Sequence, residues 1–395
     1  MNKRVVIVSP VVCAPAYSGN SARIAQFIKA LESMSVEVHF ILAPIKEISD
    51  RRQGDAMKSL FGERYHCMKQ GNQLRGTILN RGWKYLKRKG LRRYAIFQDF
   101  MLPWQLYNSD ELNEFKALIE DIKPDFIIGE YVLTAPLIRS LNNTIPTAVE
   151  THDCFTDRNK KIRKTNGGGL WWTLTASQER KLLSAFRSVI AIQETEKFFF
   201  ERLLKGREVS ICKVDVLDVP REICDLNNKA PVIGFVGSDN AHNREGLEIF
   251  IHKQWPRIKN NIPSAQLLVA GDVKFDSTES GILALGRVER LFDDFYNKCA
   301  LIINPCVTGS GLKIKTVEAM SYGMPVVATQ EGVSGIESSV GQGVYCEELN
   351  EKSFSDTCIN LLTDEKLRIS QGNLSRIYIE KAYQESLNTI QTLIQ

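Results

Sequence analysis

Short runs of β-branched and aliphatic residues alternate along this chain with stretches whose apolar positions recur at helical spacing. In the first half, Val5–Val8, Val36–Leu42, Phe126–Ile128, Thr147–Val149, Val189–Ile192 and Val209–Val214 predict strands. A strand covered on both faces reads as such an unbroken apolar run. After Asn20, the positions Ile24, Phe27, Ile28 and Leu31 follow the i, i+3, i+4, i+7 spacing of one buried helix face. A polar stretch from Asp218 to Pro231, rich in Asn, Pro and charge, then breaks the rhythm. The rhythm restarts with Val232–Val236, Gln266–Ala270, Ile282–Leu285, Leu301–Ile303 and Pro325–Ala328. Repeated strand–helix alternation with one interruption predicts two α/β domains built from βαβ units. On this reading the domains span 1–222 and 223–376, and a helical tail, 377–395, returns to the first.

A length of 395 residues accommodates two such domains, and 43% hydrophobic with 25% charged residues is a globular composition. The nine cysteines are odd in number and form no CxxC pair, which speaks against a disulfide framework or a zinc cage; those in apolar runs, such as Cys299 and Cys346, read as reduced, buried thiols. Arg4–Val8 runs straight into Ser9-Pro10 as a strand and loop, not as a secretory leader. No apolar run approaches the ~20 residues that span a bilayer. A cytoplasmic protein is expected.

Charge is uneven. Residues 51–100 hold 13 basic and 3 acidic side chains. Within them, the segment 81–94 combines seven cations with Trp83, Tyr85 and Tyr94, a composition that suits the anionic inner face of a membrane, while a solvated helix face is the plainer alternative. Nucleic acid is not an expected partner. A second basic run, Arg158 to Lys164, leads into Gly167–Gly169 and Trp171-Trp172, read as a loop near an acceptor.

The most informative segment is Asn304-Pro-Cys-Val-Thr-Gly309-Ser-Gly311-Leu-Lys313-Ile-Lys315-Thr-Val-Glu318-Ala-Met-Ser-Tyr-Gly323-Met-Pro325. It reads as a strand, a glycine-bearing loop, a helix through Glu318 and a glycine stop. Gly309 and Gly311 permit close backbone approach, and a helix start presents N–H groups to an anion. Lys313 and Lys315 add positive charge there, and Glu318 can accept two hydroxyl hydrogen bonds, as a ribose requires. These are the parts of a sugar-nucleotide site.

The same segment, over more than 20 consecutive positions, resembles the donor-binding signature of the group-1 glycosyltransferases. That resemblance implies the GT-B architecture: two Rossmann-like, doubly wound α/β domains facing across a cleft, the first taking the acceptor and the second the donor. It implies transfer of a sugar from a UDP- or GDP-linked donor to a glycan or lipid-linked acceptor, as in bacterial cell-surface polysaccharide assembly. Retained anomeric configuration, with no cofactor or metal, is also implied, and the chain offers no Asp-x-Asp pair. Gly311, Leu312, Lys313, Lys315 and Glu318 would hold the nucleotide, and Lys315 and Glu318 would also serve catalysis. Ser310 stands where relatives have a first glutamate, eight residues before the second. That departure leaves the sugar open, and it keeps a catalytically silent nucleotide-binding protein, or a sugar-nucleotide 2-epimerase, as alternatives.

Other loops after strands fit the same resemblance. Gly237, Ser238, Asn243 and Arg244 would line the donor loop, with His242 beside them; Asn243 also reads as a simple N-cap. Val288, in Gly286-Arg287-Val288, would lie by the base. Gly19, in Tyr17-Ser18-Gly19-Asn20, would approach the diphosphate, or is a turn glycine. His152 would sit near the reacting sugar, and Asp153 would align the acceptor hydroxyl or cap a helix. Glu194 and Glu196 are equally consistent with structural roles.

Overall fold

A computed structural model describes residues 3–15, 19–45, 54–69, 106–141, 144–158, 173–217, 222–309 and 311–395. The chain divides into two compact units, Met1–Val214 with Asn388–Gln395, and Asp215–Leu387.

The first unit holds a wholly parallel sheet of seven strands: β1 (Arg4–Ser9), β2 (Glu37–Leu42), β3 (Tyr65–Cys67), β4 (Phe126–Glu130), β5 (Thr147–Glu150), β6 (Ser188–Ala191) and β7 (Ser210–Lys213). Their order is β3-β2-β1-β4-β5-β6-β7, so the direction of strand addition reverses between β1 and β4. Parallel strands need helical crossovers that cover both faces, and Val5–Val8 are accordingly fully buried. The helix Gly19–Ser33 buries Ile24, Phe27, Ile28 and Leu31, the stripe its spacing predicts, and also Arg23. A capping box on Asn108, with Glu111 returning the bond, starts the helix Ser109–Ile122. Phe27, Phe40, Phe115 and Phe155 are completely buried, and each contributes about 1.5–3 kcal/mol by leaving water.

The second unit repeats the plan with β8 (Val232–Val236), β9 (Gln266–Ala270), β10 (Ile282–Gly286), β11 (Leu301–Asn304), β12 (Val326–Ala328) and β13 (Val344–Cys346). Its order, β10-β9-β8-β11-β12-β13, reverses between β8 and β11. Ligands of open parallel sheets bind outside the carboxyl ends of the strands at such a reversal. Part of the polar stretch between the strand series is not loose, because Cys224 and Leu226 pack into the second unit's core. The last helix, Glu365–Ile394, starts before residue 377. Its final residues group with the first unit, where Lys3 Nζ donates to the Ile394 carbonyl and, at 3.1 Å, to that of Gln395. No helix among the described residues is long and apolar enough to cross a membrane.

Candidate functional site

In the second unit, two loops meet at the reversal between β8 and β11. The loop after β8 turns through Gly237–Asn240 into the helix Ala241–Ile249. Asn240 is the N-cap: its side chain accepts the Asn243 N–H at 2.9 Å. Asn243 is therefore inside the helix and not its cap. Its buried amide donates to the Ser238 carbonyl at 2.7 Å, and its Oδ1 accepts from Lys315 Nζ. This helix lies flush against the loop after β11, since a Cβ at Gly246 would meet the Pro305 carbonyl oxygen at 2.3 Å. Thr308 of that loop is tied back to His242 Nδ1 at 2.6 Å.

Lys315 lies in the first turn of the helix Ile314–Ser321, half-buried, with its ammonium 5.1 Å from the centroid of the Phe235 ring. Burial, abetted by the nearby charge of Lys313, pushes its pKa down to about 8. Lys313 precedes the helix and pairs with Glu331 Oε1 at 2.6 Å. Gly311 holds φ +76°, a left-handed conformation that glycine adopts without steric cost. The helix start is partly satisfied from within: Lys313 N–H donates to the Ser334 carbonyl at 3.2 Å and Ile314 N–H to that of Leu312 at 3.0 Å. Glu318 sits one turn further along the same helix.

The remaining expected donor residues are more scattered. Gly237 donates to the Ala270 carbonyl at 2.9 Å. Arg244 turns to Asp239 at the surface, and Val288 packs against the core beside the Arg287–Asp272 pair. Gly19 opens the first helix. Ser310, Tyr17, Ser18, the segment 81–94 and residues 159–172 lie outside the described residues.

In the first unit, the register pairs Glu130 with Glu150 at the carboxyl ends of β4 and β5. Both side chains are fully buried. Arg23 reaches Glu150 Oε1 with its Nε at 2.9 Å and a terminal nitrogen at 2.7 Å. His152 Nε2 lies 2.6 Å from Glu130 Oε2 and 3.8 Å from Glu150 Oε2. Tyr131 (φ +65°) and His152 (φ +58°) both adopt left-handed backbone, and their rings stack with centroids 4.3 Å apart. Asn20 Nδ2 donates to the Tyr131 hydroxyl at 2.7 Å. Strained backbone on two adjacent strand ends is a mark of a functional region. Burial raises the pKa of Glu130 to about 8 and that of Glu150 to about 7, and it depresses that of His152 to about 4.

Among the described residues, Glu130, Glu150 and His152 are the group whose oxygen and nitrogen atoms come within 4.8 Å of one another. Their spacing is that of hydrogen bonds, not of a metal cage. Two ligands bound at roughly 2.0–2.2 Å to one ion stand about 3 Å or more apart, whereas His152 Nε2 and Glu130 Oε2 are at 2.6 Å. Asp153 caps no helix: it pairs with Arg158 at 2.6 Å and accepts the Cys154 N–H at 2.9 Å. Glu196 accepts from Ile192 N–H at 3.4 Å and Gln193 Nε2 at 3.3 Å, while Glu194 pairs with Lys197 and Lys213. Buried Glu179 accepts the N–H groups of Phe155 and Thr156, each at 2.8 Å, and so shapes the turn after His152.

Sequence reasoning missed Arg23, Glu130, Glu150, Glu179 and Glu331. Only Glu130 and Glu150 carried a signal, an acid closing an apolar run at the edge where sites form.

Residues 230–364 match the family model Glycosyl transferases group 1. It is 22% identical over 314 residues to an uncharacterised 44.6 kDa protein in the cps region of Klebsiella pneumoniae, covering 70% of this chain and 74% of that one. It is 28% identical over 258 residues to a GDP-mannose-dependent monoacylated alpha-(1-6)-phosphatidylinositol monomannoside mannosyltransferase of Corynebacterium glutamicum, covering 56% of this chain and 65% of that one. The Anabaena protein HepE, solved with UDP and glucose, shares the fold at a TM-score of 0.62 and 13% identity, with 98% and 99% of the two chains covered. The architecture is GT-B, with two parallel-sheet α/β domains.

Proposed function

We propose that this chain moves a sugar from a UDP- or GDP-linked donor to a hydroxyl of a glycan or lipid-linked acceptor in the assembly of a cell-surface polysaccharide. The reading rests on one observation, the chain Ser238–Asn243–Lys315 at the β8/β11 reversal. It holds a half-buried cation by a neutral amide, and Glu318 acts on that cation through its charge without forming an ion pair with it. Lys313 supplies a second cation, which must leave Glu331 to meet a diphosphate. The relatives support the class of donor and product, being named for GDP-mannose, for a cps region, and for a structure with UDP and glucose.

In the reaction we infer, the bond from the anomeric carbon to the diphosphate oxygen breaks and a bond to the acceptor oxygen forms on the same face. The acceptor proton passes to the leaving phosphate. Lys315 and Lys313 stabilise the charge that develops on the diphosphate, Glu318 holds the ribose, and no metal is required. His152 and Asp153 orient the reacting hydroxyls. The segment 81–94 attaches the protein to an anionic membrane surface, which sedimentation with anionic vesicles checks after neutralising Arg88, Lys89, Arg92 and Arg93.

A thermal-shift screen of nucleoside diphosphates and their sugars tests the reading. A ligand at a hundred times its Kd stabilises by about 2.7 kcal/mol. Silence across the uridine and guanosine series would sink it. The product's anomeric configuration by NMR decides retention, and turnover unchanged by a chelator decides metal independence.

A further inference from the structure

The buried cluster in the first unit contains a mismatch that hydrogen-bond geometry resolves in one way. Glu130 Oε1 and Glu150 Oε2 are both fully buried, and neither receives a hydrogen bond from any N–H or O–H donor. Their carboxyl groups lie side by side by strand register, an oxygen of each within 4.8 Å of the other. Two ionised carboxylates cannot stay in such contact away from water, because like charges at that range strongly raise one pKa. One guanidinium, that of Arg23, meets the pair at Glu150 Oε1, and a terminal nitrogen of it also donates to the Val214 carbonyl. The pair therefore lacks one positive charge, and a single proton supplies it.

The other groups around the pair do not change this count. Tyr131 stacks on His152 as a neutral ring, and Asp153 is matched by Arg158. Glu196, from the helix Glu194–Leu203, is buried and has its own pKa raised to about 7 by that burial. Cys13, from the loop after β1, is buried, and burial holds it as a neutral thiol. Placing the extra proton on His152 instead would leave both carboxylate oxygens without a donor and put an imidazolium where burial disfavours it.

We propose that Glu130 is a positioning residue for His152: its carboxyl group keeps a proton, donates it to Glu150 Oε2, and accepts the Nε2–H of His152, leaving Nδ1 of His152 as a hydrogen-bond acceptor. The relay then runs from His152 Nε2–H to Glu130 and from Glu130 O–H to Glu150, which also accepts from Arg23. Every buried oxygen in it then takes part in a hydrogen bond. Nδ1 makes no hydrogen bond among the described residues. It can receive a ligand hydroxyl but cannot donate to a phosphate oxygen, so the group that His152 reads is a sugar or acceptor hydroxyl. That last step rests on the glycosyl-transfer reading; the protonation pattern does not.

The test uses the full-length chain. With only five histidines, ¹⁵N-histidine labelling resolves His152, assigned by its disappearance in His152→Gln. Between pH 6 and pH 7.5 the expected signal is a neutral Nε2–H tautomer. The infrared spectrum should show a protonated-carboxyl stretch that Glu130→Gln removes. In Glu130→Gln, whose amide also donates to Glu150 and accepts from His152, the tautomer and turnover should persist. In Glu130→Leu the tautomer preference should vanish and kcat should drop roughly a hundredfold, the low end for loss of a positioned acid–base partner. An imidazolium or an Nδ1–H tautomer in the wild-type protein overturns the proposal, as does a divalent cation bound stoichiometrically whose removal shifts the His152 signals. Should Glu130→Leu fail to fold, the wild-type and Glu130→Gln spectra still decide. If the spectra hold but no donor is turned over, the glycosyl-transfer reading fails and the relay stands.

Discussion

The two units share one plan, a parallel sheet whose strand order reverses beside its first strand, and each gathers charge at the carboxyl edge near that reversal. The outcomes are opposite. In the first unit, Arg23, Glu130, Glu150 and the side chain of His152 are buried and answer one another's hydrogen bonds. In the second, Lys315 is half-buried and is held by an amide that brings no opposing charge. The first arrangement is closed and suited to fixing the orientation of His152. The second keeps positive potential available to a ligand. Burial and the partner's charge separate the two roles, since charge spent on an internal partner cannot stabilise an incoming anion.

The largest expected effect breaks the closed cluster. Arg23→Met leaves a buried carboxylate unpaired and should cost about 3–5 kcal/mol, read as a lower urea midpoint. Lys315→Ala strikes the open cluster. It should lower kcat/KM roughly ten- to a thousandfold, with stability changed by less than about 1 kcal/mol. A destabilisation as large as that of Arg23→Met would erase the contrast between the units.

Stability should also depend on pH with opposite signs. The folded pKa of Glu130 lies above that of an unfolded chain, so the native state binds more protons and stability falls as pH rises from its unfolded value of about 4.3 through about 8. His152 and Lys315 are depressed. Their terms make stability rise with pH, for His152 between about 4 and its unfolded value near 6.5, and for Lys315 above about 8. Urea midpoints across this range should decline from pH 6.5 to 8, and Glu130→Gln should flatten that decline. The smallest effect is Arg244→Gln. Loss of this surface pair with Asp239 should leave the urea midpoint and the nucleotide affinity nearly unchanged.

Much of the fold was legible in the chain because doubly covered strands are continuous apolar runs. Eleven of the thirteen described strands coincide with such runs to within a residue or two. The two that escaped, β3 and β13, are three-residue edge strands. An edge strand is covered on fewer sides, so its residues need no apolar run. At the site, Ser238, Asn243, Lys313 and Lys315 stood out by type and loop position. What could not be read was which of them touch. Asn243 looks like an N-cap in sequence, but Asn240 takes that place and releases the Asn243 amide to bridge Ser238 and Lys315. Glu331, near Lys313 in space, lies eighteen residues away in the chain and carries no motif of its own.

By itself, then, the sequence determined two parallel α/β domains, the loops that follow their strands, and the resemblance to the group-1 glycosyltransferases, because periodicity and contiguous motifs are local properties. Tertiary structure alone decided which polar groups meet: Arg23 with Glu150, Glu130 with His152, Lys313 with Glu331. Coulomb energy and hydrogen bonding depend on distance and on exclusion of water, and neither quantity exists until residues remote in the chain are packed together.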